Sequence, residues 1–368
     1  MTRSPASTAL MPLVEAVAAL TADVTPVAPQ RVASALALGC VAAETVVAGE
    51  GPPPGATALR DGWAVSFARV SGAGPHSPVP LGTDLAWMDA GDPVPAGFDT
   101  LLPPDSVEDG SAVADAPEGE GIRVAGGDLG PDDVILRAGE LLRPLHLLAL
   151  ATAGVTDIAV RQPRIRLVTA GRLPAGRDAL GPALAAVLAG WGCRVSPATP
   201  ADAGPQALAD ILGEGEADAV FVLGGTGFGR ADHAVEALAL AGHVAAAGIA
   251  LRPGETAAFG QSRVPVLLLP GRPESALAAL LTLGRPLVDA LAGRAPHPPR
   301  QPEPITRKVV STIGMAEIVF VRRTASGLEP LGGVELPLRR LIEADGAVLV
   351  PPEREGYPAG TPLAWVPL

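Results

Sequence analysis

The sequence predicts a multidomain α/β plus β fold: a helical linker domain, a small β domain, an α/β domain and a C-terminal β barrel or sandwich. The α/β part rests on two segments, Asp218-Ala-Val-Phe-Val-Leu-Gly-Gly-Thr-Gly-Phe-Gly-Arg-Ala-Asp232 and Val266-Leu-Leu-Leu-Pro-Gly-Arg-Pro-Glu-Ser275. Each runs from an unbroken apolar strand pattern, as in a strand covered on both faces, into a turn rich in Gly or Pro. The β parts rest on short apolar runs separated by Gly and Pro on either side of that region.

Taken in order, Leu13, Val17 and Leu20, then Val32, Leu36 and Val41, are spaced for apolar helix faces, so residues 10–48 are expected to be helical up to Gly51-Pro-Pro-Pro-Gly55. Gly62–Val65, Ala86–Met88, Thr100–Leu102 and Gly121–Val124 read as strands of the small β domain. Leu145–Ala153 reads as a helix and Ile158–Val160 as a strand that packs back on the N-terminal segment. From Ile165 the pattern alternates: strand Ile165–Thr169, helix Ala183–Ala189, strand Arg194–Val195, helix Ala207–Leu212, strand Ala219–Leu223, helix Ala234–Ala241, strand Val264–Leu269 and a long helix Glu274–Leu291. After a Pro-rich linker at 293–300, Val309–Val310, Ile318–Val321, Ala347–Val350 and Leu363–Val366 return to strands. The expected domains are 1–48 with 131–162 (helical linker), 49–130 (small β), 163–297 (α/β) and 298–368 (C-terminal β).

At 368 residues the chain is long enough for two to three cores of roughly 150 residues each. Hydrophobic residues make up 48% but aromatics only 3%, beside 44 Gly and 40 Pro, so Ala, Val and Leu must build the cores. The net charge of −12 without a basic block argues against a nucleic-acid surface or an anionic membrane patch. Lys308 is the only lysine and asparagine is absent, a compositional bias that alters motif positions usually held by either. Cys40 and Cys193 have no metal-ligand spacing, so neither a zinc site nor a disulfide scaffold is expected. No apolar stretch is long enough to span a bilayer, and a soluble, cytoplasmic protein is expected.

The chemistry concentrates at the two Gly-bearing turns. Gly224, Gly225, Gly227 and Gly229 lack Cβ atoms, so their backbone can take positive φ and bring N–H groups onto a phosphate ahead of the helix that follows Asp232. A tight turn that binds nothing would read the same way in isolation. Asp232 reads equally as a helix cap, and Asp61, beside Gly62, as an Asx-type turn. His146 and the other histidines show no triad or ligand spacing, and Trp63 is a packing residue or a stacking platform beside Asp61.

In order along the chain, Ala37-Leu-Gly39 with Ala43-Glu44, Arg60-Asp-Gly-Trp-Ala-Val65, Gly91-Asp-Pro-Val-Pro-Ala-Gly97 with Asp99, Gly126-Gly-Asp-Leu129, the Gly224–Asp232 loop and Leu269-Pro-Gly-Arg-Pro-Glu-Ser275 together resemble the molybdopterin molybdenumtransferases, the family of bacterial MoeA and the gephyrin E domain. The resemblance runs over residues 13 to 364. It implies a MogA-like α/β molybdopterin-binding domain, an elongated homodimer, and insertion of molybdate into adenylylated molybdopterin with release of AMP. It further implies Mg²⁺ or another divalent cation, catalytic roles for Asp61, Asp128 and Asp232 (the first two as metal ligands), and transient contact with a molybdopterin adenylyltransferase or an acceptor molybdoenzyme. Substrate contacts fall on Thr169, Gly171, Asp178, Gly224, Gly225, Thr226, Gly227, Gly229, Arg252, Pro270, Gly271, Arg272, Pro273 and Ser275. Hard carboxylate oxygens suit such a cation, and arginines suit a pyrophosphate.

The sequence departs from the family at three places. Thr-Gly-Asp-Glu-Leu is Thr169-Ala-Gly-Arg-Leu173, which puts Arg172 at an Asp and loses a Glu; Asp-Ser-Asn is Asp178-Ala-Leu180; and Lys-Pro-Gly-Lys-Pro is Arg252-Pro-Gly-Glu-Thr256. Glu255 would repel a phosphate where the family lysine would meet it. The alternative to an active insertase is therefore a catalytically degenerate molybdopterin-binding carrier or scaffold. A nucleotide-binding oxidoreductase would need a GxGxxG with an acidic residue about twenty residues on, and the sequence has neither.

Overall fold

Residues 9–170, 179–201, 204–295 and 299–368 are described by a computed structural model. Alternation within Ala219–Leu223 organises the central unit. All five residues are buried, with Ala219, Phe221 and Leu223 facing one core and Val220 and Val222 the other. The first core is filled by Leu184 and Leu188 of helix Leu180–Gly190 and by Leu280, Leu283 and Leu287. The second is filled by Leu208 and Leu212 of helix Gly204–Gly213 and by Ala234 and Leu238 of helix Ala234–Ala241.

Six strands form the sheet, in the order Arg194–Ala201, Arg164–Ala170, Ala219–Leu223, Pro265–Leu269, Ala258–Gln261, His243–Ala247. The first four are parallel, as expected, and the last two run antiparallel. That hairpin has no expectation behind it, because His243-Val-Ala-Ala-Ala247 carries neither strand periodicity nor β-branched enrichment. Thr169 pairs with Leu223 and Leu223 with Leu269, so three parallel strands finish level with one another. The turns after Leu223 and Leu269 leave from one edge of the sheet, where crevices form at the carboxyl ends of α/β strands. The last of them feeds a long helix as expected, Pro273–Ala279 and Arg285–Leu291, joined by one π turn at Leu280–Gly284.

Residues 10–48 correct the helical expectation. Only Leu13–Thr21 is an α-helix, and Pro26 and Pro29 follow it. Gln30–Ala33 is then a strand paired antiparallel with Asp157–Arg161, which also pairs with Val41–Ala42. Proline cannot continue a helix, and the apolar spacing beyond it is satisfied by strand pairing instead. The linker region thus contains a three-stranded sheet beside the expected helix Pro144–Thr152. Leu13, Ala16 and Leu20 pack into the α/β core rather than against the linker.

The small β region holds Ala86–Met88, Gly62–Val65 and Thr100–Leu102 as one sheet, with Ile122–Arg123 pairing Thr57–Ala58. At the C-terminus the sheet order is Leu251–Arg252, Ala316–Thr324, Gly346–Val350, Pro362–Pro367, Arg300–Pro304, and Gly327–Gly332 pairs Ala316–Thr324. Its edge strand, Leu251–Arg252, belongs in sequence to the α/β unit and couples the two through the pair Arg252 and Glu317. Among the described residues no helix is long and apolar enough to cross a membrane.

Candidate functional site

The level strand ends bring four segments together. Gly224 donates its N–H to the Leu269 carbonyl at 2.8 Å, and a Cβ on Gly224 would lie 3.1 Å from the Ala170 carbonyl oxygen and 3.9 Å from the Gly271 Cα. Gly224 and Gly225 take φ of +83° and +69°, a left-handed pair that only glycine adopts without strain. Gly225 accepts from the Ala234 N–H at 2.9 Å, which starts the following helix.

Between these anchors, the N–H groups of Gly225, Thr226, Gly227 and Phe228 donate to no acceptor among the described residues. Those of Gly271 and Arg272 are likewise uncommitted. Exposed Arg230 forms no ion pair among the described residues and adds a cation at the loop. Uncommitted amides from two loops and a nearby guanidinium form a cradle for an anion.

A third loop closes one side. Thr226 is buried and its hydroxyl lies 3.0 Å from that of Thr256. Arg252 donates to Thr312 Oγ1 at 3.2 Å, and Arg272 lies 3.7 Å from Glu335. Thr312 and Glu335, from the C-terminal region, had no signal in the sequence because neither belongs to a periodic or Gly-rich pattern. Ser275 and Pro270 are buried at the head of the second turn, and Thr169 is buried on its strand; Pro273 is half-buried, and Gly271 is exposed. Glu255 is half-buried and spends one carboxylate oxygen on the Gly254 N–H at 3.0 Å. Gly171, Arg172 and Asp178 lie outside the described residues.

The three carboxylates assigned to catalysis are dispersed over different local networks. Asp232 folds back to accept from the Gly229 N–H at 2.8 Å, so its observed work is to shape the glycine loop. Asp61 is exposed and accepts from the Ala90 N–H at 2.8 Å. Asp128 is ion-paired with Arg123. Among the described residues no group of three or more His, Cys, Asp or Glu side chains is placed to hold a metal ion. The donor chemistry suits Mg²⁺, but this grouping does not, and no step below runs through it. Trp63 packs edge-on against Trp87 at 5.1 Å and donates to the Pro104 carbonyl, which accounts for it as a packing residue.

The net charge is also unevenly placed. Residues 49–130 carry thirteen acidic against three basic residues, while 163–297 carry eleven of each. The cradle therefore sits in the electrically balanced part of the chain, where an anion meets less general repulsion. Both cysteines are free and buried; burial pushes the Cys193 thiol up to about 12, which makes it a poor nucleophile.

Comparison with known families matches residues 11–154 to the MoeA N-terminal region (domain I and II) and residues 166–290 to a probable molybdopterin binding domain. The chain belongs to the MoeA family. Molybdopterin molybdenumtransferase 1 of Mycobacterium tuberculosis is 29% identical, over 90% of this chain and 93% of its own length. Molybdopterin molybdenumtransferase of Synechococcus elongatus is 26% identical, over 82% and 85%. A crystal structure of the molybdopterin biosynthesis MoeA protein from Pyrococcus horikoshii superposes with a TM-score of 0.74 at 18% identity, covering 98% of this chain and all (100%) of the other. At that identity the likeness establishes the MoeA-like multidomain fold. The molybdopterin-binding match contains the Gly224–Gly229 loop, Arg252 and Pro270–Ser275.

Proposed function

We propose that this MoeA-family protein acts in molybdenum cofactor biosynthesis as a molybdopterin molybdenumtransferase, inserting molybdate into adenylylated molybdopterin with release of AMP. The observation that carries the reading is the row of uncommitted amides from Gly225 to Phe228, facing the Pro270–Ser275 turn at the level ends of parallel strands. A pyrophosphate-bearing pterin needs such a surface, and Arg230, Arg252 and Arg272 supply charge beside it. Thr169, Thr226 and Ser275 supply hydroxyls to the same cleft. Asp61 and Asp128 would act on molybdate, and Asp232 would hold the loop that contacts the phosphates.

The domain division given above, with a C-terminal barrel, a cytoplasmic location and a homodimer that meets a molybdopterin adenylyltransferase or an acceptor molybdoenzyme, completes the proposal. The carrier or scaffold reading keeps one observation in its favour, the Glu255 carboxylate within the loop that contacts Thr226. Incubating the purified protein with adenylylated molybdopterin, molybdate and Mg²⁺ separates the two. Molybdate-dependent AMP release supports the transferase; tight binding without release selects the carrier.

A further inference from the structure

Six phenylalanines occur in the chain, and five are placed as expected of a large apolar side chain. Phe221, Phe259 and Phe320 are fully buried, and Phe67 and Phe98 are half-buried. Phe228 alone stands out in solvent, at 101% relative exposure. It sits between Gly227 and Gly229, which are also exposed and offer its ring no side chain to pack on. Burying such a ring is worth roughly 2–3 kcal/mol, so an aromatic left at a loop tip forgoes a substantial stabilisation that a bound partner could restore.

Its position says which partner. Phe228 is the last residue of the run whose amides are uncommitted, so at about 3.8 Å per residue its Cα lies within roughly 12 Å of each N–H of the Gly225–Phe228 run. A nucleotide or a phosphorylated pterin joins a flat fused ring to its phosphates by a short linker of similar reach. Arg230, two residues further on, leaves a guanidinium on the same exposed tip. A phosphate-binding backbone, an exposed aromatic face and a cation within six residues together match a ligand with both an anionic and a planar end.

We propose that Phe228 is the stacking platform for the fused heteroaromatic ring, pterin or adenine, of a ligand whose phosphates rest on the Gly225–Phe228 amides. The inference deepens the function proposed above and rests on it. Phe228 would fix the orientation of the phosphoanhydride relative to the cleft, as a positioning residue, and flexible glycines on both sides let the ring close over the ligand. Because its ring is fully exposed, its replacement removes the platform and leaves the fold alone.

The test is equilibrium binding to full-length wild type, Phe228→Ala and Phe228→Trp with three probes: pyrophosphate, AMP and a pterin monophosphate. Stacking of this kind predicts that Phe228→Ala weakens one or both ring-bearing probes about ten-fold or more while pyrophosphate binding stays unchanged, and that Phe228→Trp restores affinity with quenching of the new indole. Whichever ring-bearing probe is lost identifies the ring. Wild-type binding of AMP and pterin phosphate that Phe228→Ala leaves within about two-fold overturns the platform alone, as does wild-type binding of pyrophosphate with neither ring. Absence of binding by all three probes to the wild type overturns both the platform and the function on which it rests.

Discussion

Gly224→Ala should damage the cradle from within. At φ of +83° an alanine is forced into the left-handed region, which costs about 1–2 kcal/mol. Its methyl would also stand 3.1 Å from the Ala170 carbonyl oxygen, a backbone atom fixed in the sheet, adding about 1 kcal/mol of overpacking. The total of about 2–3 kcal/mol falls on the bond from the Gly224 N–H to the Leu269 carbonyl, which holds the two turns together. Hydrogen exchange across residues 219–241 reads it as faster opening by roughly 30- to 160-fold, and pyrophosphate affinity should fall with it. Gly271→Ala is the control, since its Cβ would meet only the Gly224 Cα, at an ordinary 3.5 Å. Wild-type exchange and wild-type pyrophosphate binding in Gly224→Ala would refute the claim that left-handed geometry at this turn builds the site.

Further outcomes follow from neighbouring residues. Asp61→Ala should abolish AMP release while leaving unfolding unchanged to within about 1 kcal/mol, because it removes an exposed carboxylate that, among the described residues, accepts one hydrogen bond, from the Ala90 N–H; normal turnover would remove it from the catalytic set. Glu255→Lys should tighten pyrophosphate binding by roughly five-fold or more, five-fold being the value of a two-unit charge change about 8 Å from a single negative charge in water-like surroundings, measured by calorimetry. Cys193, with its thiol pushed up to about 12 by burial, should resist alkylation at pH 8 until the protein is unfolded. Its proton is held more tightly in the folded state, so stability is intact below the ordinary thiol pKa and falls as pH rises from about 9.0 to about 12; denaturant titrations of wild type against Cys193→Ala across that window measure the difference.

Much of this architecture was written in local patterns. Ala219–Leu223 and Pro265–Leu269 announce themselves because a strand buried on both faces has no polar break, and the glycines after the first mark where the backbone turns left-handed. The stretch after Thr21 reads as helix because Val32, Leu36 and Val41 fit a helical face by spacing alone, while Pro26 and Pro29 end the helix ahead of it. The hairpin His243–Ala247 with Ala258–Gln261 was invisible because alanine and glycine carry no period. At the site, the cradle was legible because it is contiguous. The contacts of Arg252 with Thr312 and of Arg272 with Glu335 are long-range pairings that no local pattern encodes. Asp232 shows the converse: a motif carboxylate whose hydrogen bond to Gly229 gives it a structural occupation that sequence could not separate from a catalytic one.

The most direct test of the central claim, that the strand-end loops form the anion site, is NMR of glycine-labelled protein titrated with adenylylated molybdopterin. The cradle predicts saturable shifts of the Gly225 and Gly227 amides, and of Gly271 on the facing turn, with glycines away from every named site residue, such as Gly72, Gly110 and Gly360, unmoved. Binding that shifts those remote glycines and leaves Gly225, Gly227 and Gly271 in place would contradict it.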